Sequence, residues 1–301
     1  MSNPLNPLIE LLKLVKLLVF DFDGTVTKNW EEALPFKVAY VHGLAVALDK
    51  SVRDTWELIA KTEQTVLKGD PAQYGWIFQG TLVSPATGDP YVLMLTVSRL
   101  IWMEVKGNLD TFEEFHAKAW WECYPKADTV FQPGVEELFR ALKGKPFATE
   151  IVTNSGTGSV RDKLNRLGRE FDWLTARIHG GAKKNEFYHY PRIDETSGEL
   201  DKLPLRIDLP GFGRRVEVRR RQYFSVLNIQ RWMVGADWSE ICVVGDNLEL
   251  DGLIVLLLGG SFILMMNEHT PQHEIEYVRA HPRGHIVSSL VEIQEALVEA
   301  A

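Results

Sequence analysis

The sequence predicts an α/β protein: an open, parallel sheet interrupted after its first strand by an inserted helical domain. Three observations lead to this. Short apolar runs of strand length, Leu17 to Phe20, Ala148 to Thr153 and Ile241 to Val244, stop abruptly at acidic or hydroxyl residues, as buried parallel strands do where they reach the sheet edge. Strand and helix patterns alternate beyond residue 129, which implies parallel crossovers. Between the first two strands, residues 30–128 show helical spacing and few strand signals, so the domain reading is core over 1–29, cap over 30–128 and core again over 129–301.

At the start, Leu8 to Leu18 is apolar but carries Glu10, Lys13 and Lys16. That is too charged for a secretory segment and too short to cross a bilayer, so it reads as an amphipathic lead-in. The strand Leu17 to Phe20 follows and breaks at Asp21-Phe22-Asp23-Gly24-Thr25. Apolar residues at Phe36, Tyr40, Leu44 and Leu48, then at Val52, Trp56, Ile59 and Ala60, predict two amphipathic helices. A turn cluster from Ser84 to Pro90 precedes two further helices, Tyr91 to Val105 and Phe112 to Trp121. The insertion is therefore expected to be all-helical, with Trp56, Trp76, Trp102, Trp120 and Trp121 serving its core.

Pro133-Gly134 opens a helix with apolar positions Val135, Leu138, Phe139 and Leu142. The strand Ala148 to Thr153 ends in Thr153-Asn154-Ser155-Gly156, a helix is expected over Val160 to Gly168, and Ile178 falls on a further strand before His179-Gly180-Gly181. Residues 183–213 are irregular and polar, with turn signals at Ser197-Gly198 and Pro210-Gly211, and fit a flap, a hairpin or a surface excursion. Arg219-Arg220-Arg221 leads into an amphipathic helix carrying Tyr223, Phe224, Leu227 and Trp232. The strand Ile241 to Val244 terminates at Gly245-Asp246-Asn247-Leu248-Glu249-Leu250-Asp251. Phe262 to Met266 and His285 to Val287 read as later strands, and Val291 to Val298 as a closing helix.

Composition narrows the function classes. The chain has 301 residues, 45% of them hydrophobic, enough for a packed core. A net charge of -8 argues against a general nucleic-acid binder. Cys123 and Cys242 are the only cysteines, too few for a disulfide framework or a zinc site, which fits a cytoplasmic setting.

Three apolar strands end in polar residues: Asp21 with Asp23, Thr153 with Asn154, and Asp246 with Asp251. In a parallel sheet such carboxyl ends share one crevice. One of two neighbouring carboxylates can act as nucleophile while the other handles protons, and magnesium, a hard cation that prefers oxygen donors, offsets their repulsion. The bland alternative is an acidic turn capping the next helix. Phosphoryl transfer, which needs mostly positioning and charge neutralisation, suits the set.

With Asp21-Phe22-Asp23-Gly24-Thr25, the strand ending at Thr153, and Gly245-Asp246 with Asp251, the chain resembles the haloacid dehalogenase superfamily, most of whose members are magnesium-dependent phosphatases. The resemblance implies a Rossmann-like core with a helical cap. It makes Asp21 the nucleophile that forms an aspartyl-phosphate and Asp23 the general acid and base. Magnesium would be held by the carboxylates of Asp21 and Asp246 and the main-chain carbonyl of Asp23, with Asp251 supporting the metal shell. Thr153 would bind the phosphoryl group, with Gly24, Thr25 and Asn154 as further phosphate contacts. The family's usual lysine is missing at the start of the helix before Asp246. Arg220 is preferred for that role, because Phe224 and Leu227 follow at i+4 and i+7 and place it on the inward face; Lys183 and Lys184 are the alternatives. His179 reads as structural and Cys242 as a small buried residue.

These readings converge on a magnesium-dependent phosphomonoester hydrolase acting on a small phosphorylated metabolite, with neither nucleic acid nor membrane as partner. A phosphomutase or phosphonate hydrolase would use the same aspartate chemistry. A non-catalytic binding protein that keeps the fold is the rival from another class, against which the retained acids weigh.

Overall fold

The structure is a computed structural model that describes residues 5–188 and 198–300. In chain order its strands are β1 (Leu17–Phe20), β2 (Gly75–Phe78), β3 (Thr81–Pro85), β4 (Ala148–Val152), β5 (Ile178–His179), β6 (Arg206–Asp208), β7 (Arg215–Glu217), β8 (Ile241–Gly245), β9 (Ser261–Met265) and β10 (Gly284–Val287). Six of them form one sheet in the order β10-β9-β8-β1-β4-β5, and every pair in it is parallel. β1 is central: Phe20 lies opposite Ile151 of β4 and Val244 of β8. The chain passes from β1 towards β4 and β5 on one side and later returns to β8 on the other. The carboxyl end of β1 is thus a topological switch point, where open α/β sheets place ligands.

Alternation along β1 divides its four buried residues between two cores. Leu18 and Phe20 join Leu8, Leu12, Leu138, Phe139, Ile293 and Leu297, whereas Leu17 and Val19 join Tyr223, Phe224, Leu227, Trp238, Leu253 and Val278. Each such side chain contributes about 2 kcal/mol by leaving water, so the strand carrying Asp21 is among the best anchored in the molecule. The amphipathic lead-in is the helix Asn6–Leu14, which buries Leu8, Ile9 and Leu12.

Residues up to Thr27 and from Phe131 onward make one compact unit, and Lys28–Val130 make another. The second unit is built mainly from the helices Leu34–Leu48, Val52–Lys68, Pro90–Lys106 and Phe112–Cys123, around Phe36, Tyr40, Leu44, Val97, Ile101 and Phe112. Asp89 caps the third of these by accepting from the Tyr91 and Val92 N–H groups, and Pro90 follows at its first position. The expectation of helices alone is corrected here, because β2 and β3 form an antiparallel hairpin. Its two-residue turn, Gln79-Gly80, has φ of 49° and 75°, the paired left-handed conformation of a tight hairpin. Trp102 is buried as expected, but Trp121 is 76% exposed and belongs to no core.

The hairpin reading of 183–213 holds for the end of the segment: β6 lies within it and pairs antiparallel with β7 just beyond it, and Leu209, Phe212 and Val216 are buried in the second core. Pro210-Gly211 lies in its turn; of the Ser197-Gly198 signal, Ser197 lies outside the described residues.

Candidate active site

Asp21 extends the ladder of β1 by one bond, its N–H donating to the Val244 carbonyl at 2.8 Å. This places its carboxylate at the carboxyl edge of the sheet beside the end of β8. There Asp21, Asp246 and Asp251 each bring a carboxylate oxygen within 4.8 Å of the others. Asp251 can approach so closely because residue 245 is glycine: a Cβ at Gly245 would sit 2.6 Å from the Asp251 Cβ.

The cation in this cluster is Lys184. Its Nζ donates to Asp21 Oδ1 at 2.5 Å and to Asp251 Oδ1 at 2.7 Å, and Lys184 is 2% exposed. The choice of Arg220 is thereby corrected. Arg220 is buried, as its helical register required, but its Nη1 donates to the main-chain carbonyl of Lys184 at 2.5 Å. Lys183 points elsewhere and pairs with Glu186 at 3.1 Å.

Charges this close and this dry shift one another. Burial pushes the Asp21 carboxyl up to about 7, with Lys184 pulling it down and Asp251 adding to the rise. Burial works against the Lys184 ammonium as well, but the carboxylates of Asp21 and Asp251 outweigh it and hold the lysine above its ordinary value. A dication among the carboxylates would reverse the rise at Asp21.

The other expected site residues divide into two groups. Thr25 is fully buried, with its hydroxyl 3.4 Å from Asp21 Oδ2; Gly24, at φ 86°, turns the chain between the two. Asp23 is not one of the three clustered carboxylates but lies near enough to Asp21 to add to the rise of its carboxyl. Asp23 Oδ1 meets Lys163 Nζ at 3.0 Å and its Oδ2 accepts from Ser155 Oγ at 2.6 Å, with the Thr153 hydroxyl at 3.5 Å. Thr153 also accepts the Ser155 N–H at 3.1 Å. Asn154 turns its side-chain oxygen to the Lys184 N–H at 2.7 Å and so holds a protein group. His179 pairs with Glu150 at 3.0 Å.

Four participants were not singled out from sequence. Lys163 is ten positions beyond Thr153, on the helix Thr157–Asn165, with its ammonium 5.7 Å from the Phe22 ring centre. Ser155 was visible only as part of a polar cluster. Glu249 is fully buried against Arg214, which donates to both its oxygens at 2.6 Å. Glu274 is 0% exposed; its Oε2 accepts the Leu248 N–H at 2.7 Å, while burial, with Glu249 adding, pushes its carboxyl up to about 8. Glu249 stands between Asp246 and Asp251 in the run that ends β8, whereas nothing in the spacing of Glu274 marks it as a neighbour of the site.

The sequence profile of the haloacid dehalogenase-like hydrolases matches residues 15–193. The chain belongs to that family. No curated protein matches this hydrolase. Among solved structures, a predicted phosphoglycolate phosphatase from Haemophilus somnus 129PT is similar to it at 16% identity and a TM-score of 0.50, over 94% of this chain and 97% of the other. The putative hydrolase YfnB from Bacillus subtilis, bound to magnesium, is similar at 14% identity and a TM-score of 0.50, over 94% and 99%. At such identities the likeness extends to the fold. No helix among the described residues of the hydrolase is long and apolar enough to cross a membrane.

Proposed function

We propose that this hydrolase removes phosphate from small phosphorylated metabolites, with magnesium, through an aspartyl-phosphate formed on Asp21. The observation that carries the reading is the meeting of three carboxylates, Asp21, Asp246 and Asp251, with one buried ammonium at the carboxyl end of the central strand. The donor set is all oxygen and anionic, which suits a hard dication. Asp21 and Asp246, with the Asp23 carbonyl, would hold magnesium, and Asp251 would support that shell. Bound there, it would neutralise charge on the phosphoryl oxygens and orient the ester.

In the first step an Asp21 oxygen bonds to phosphorus as the ester oxygen leaves, and Asp23 gives that oxygen a proton. In the second, water attacks phosphorus, Asp23 takes its proton, and the bond to Asp21 breaks. Lys184 offsets charge on Asp21 throughout. Ser155 and Lys163 fix the Asp23 carboxylate between the two steps. Thr153, at the end of β4, would contact the phosphoryl group, together with N–H groups of the turn that follows.

Phosphate release from an aryl phosphate, followed with magnesium and after exhaustive chelation, tests the reading. Activity should require the metal and should fall by on the order of 10⁴-fold or more in Asp21→Asn, as when a nucleophile is removed. Full turnover after chelation, or wild-type turnover in Asp21→Asn, would refute it. A panel of sugar phosphates, nucleotides and phospho-acids, phosphoglycolate included, then identifies the metabolite.

A further inference from the structure

We infer that Arg220 is a positioning residue that acts on the reaction through Lys184, fixing the main chain so that the lysine ammonium stays between Asp21 and Asp251. This rests on the phosphatase reading above. Lys184 belongs to no helix or strand, and the residue before it, Lys183, has φ 50°. A non-glycine residue in that region costs about 1 kcal/mol or more, so the conformation has to be imposed from outside.

Two side chains from distant segments impose it. Asn154, at the end of β4, accepts the Lys184 N–H at 2.7 Å. Arg220, 36 positions further along the chain, donates to the Lys184 carbonyl at 2.5 Å. Both main-chain polar groups of this residue are thus held by side chains. The preceding residues are tied down as well, Gly181 N–H to Ser155 O and Ala182 N–H to Thr153 O, both at 2.9 Å. One turn beyond Arg220, Tyr223 donates its hydroxyl to the Asp251 carbonyl at 3.0 Å, and its ring centre lies 5.3 Å from Lys184 Nζ. The start of the helix Arg221–Met233 therefore grips both members of the Lys184–Asp251 pair.

The chemistry favours a guanidinium here. A flexible lysine side chain loses on the order of 2 kcal/mol of rotamer freedom when its head is fixed, and a charged donor makes a stronger bond to a carbonyl than a neutral one. Arg220 is 1% exposed, and although Glu249, Glu217 and Asp251 also act on its charge, its bond to the Lys184 carbonyl is the contact that fixes the main chain carrying the ammonium.

A double-mutant cycle on kcat tests this, because a residue acting only through Lys184 loses its effect once Lys184 is gone. Arg220→Gln should lower kcat 10- to 100-fold with KM within about threefold, while in a Lys184→Met background the same change should lower it less than about twofold. Asn154→Ala should show the same non-additivity more weakly, and it serves if Arg220→Gln does not fold. Arg219→Gln removes bonds to Leu203 and Asp201 without touching Lys184, so any effect it has should persist in the Lys184→Met background. Multiplicative losses for Arg220→Gln, or for Asn154→Ala where it stands in, would overturn the inference. If the wild-type protein releases no phosphate, the phosphatase reading fails by itself. A crystal structure of Arg220→Gln or Asn154→Ala then decides the positioning role: Lys184 Nζ displaced from Asp21 supports it, and an unmoved Nζ overturns it.

Discussion

At Lys184 one ammonium meets two carboxylates that have almost no access to water, so its removal leaves Asp21 and Asp251 facing each other as uncompensated charges. Breaking a buried pair in this way costs about 3–5 kcal/mol. Lys184→Met should therefore unfold at lower urea in chelator, and magnesium should restore much of the loss by supplying the missing positive charge. Urea titrations with and without the metal check this, and a variant as stable as wild type in chelator would contradict it. Turnover should fall by on the order of 10²–10³, the range seen when one electrostatic stabiliser is removed. Gly245→Ala is a sharper probe of geometry. Its Cβ would lie 2.6 Å from Asp251 Oδ2, and the displacement should cost about 1–3 kcal/mol and raise the magnesium concentration needed for half-maximal activity. The residues at strand ends, Asp21, Asp23 and Asp246, were legible because a strand that stops at an acid announces its edge. Lys184 stood only as an alternative to Arg220, since its place depends on a left-handed turn and two remote side chains. The i+4 and i+7 register put Arg220 inside the protein, but inside is not the same as into the crevice.

Among the elements, the hairpin of β2 and β3 shows where pattern reading failed. Gly75 to Phe78 and Thr81 to Pro85 are short, and the turn between them is Gln79-Gly80 instead of the Asn-Gly or Asp-Gly that marks such turns. Gln79 carries its left-handed φ of 49° at a steric cost, so Gln79→Gly should stabilise the protein by about 0.5–1 kcal/mol, while Gly80→Ala should destabilise it by a similar amount or more. Thermal melting of both variants reads the two signs, and a fall in Tm for Gln79→Gly would show that its side chain makes up the cost. The long elements were legible: four apolar residues with nothing polar between them gave β1, and helical periodicity gave the helices that surround Tyr40 and Ile101. The hairpin that begins within 183–213 was only one of several readings, because its strands are three residues each and alternation over so short a run is indistinct.

Across the whole molecule, buried acids set the pH dependence of stability. Asp21 moves from 3.8 to about 7 and Glu274 from 4.5 to about 8 on folding. With a folded value above the unfolded one, the folded state binds more protons between the two, so stability is lost as pH rises through that interval. The chelated protein should be more stable at pH 5.5 than at pH 8: at about 1.4 kcal/mol per tenfold change in proton affinity, Asp21 contributes about 2 kcal/mol and Glu274 about 3, while His116, His269, His273, His281 and His285, which burial holds below their ordinary value, offset part of this sum. Glu274→Gln, which cannot ionise, should flatten the slope. Chemical unfolding at the two pH values measures both, and stability that rises with pH between them would contradict the assignment. Magnesium should also flatten the slope by holding Asp21 ionised.

The hydrogen bond from Asp21 N–H to the Val244 carbonyl has one more consequence. It closes the ladder of a central strand whose neighbours on both sides are buried, so this amide has no local opening through which to exchange its proton for deuterium. It should exchange only by global unfolding, alongside the amides of Val19 and Val243, whereas amides of the Lys184 turn, outside any ladder, should exchange through smaller openings. Under mild denaturant Asp21 would then stay in place after the Lys184 ammonium had begun to move, and activity would fade before the sheet did.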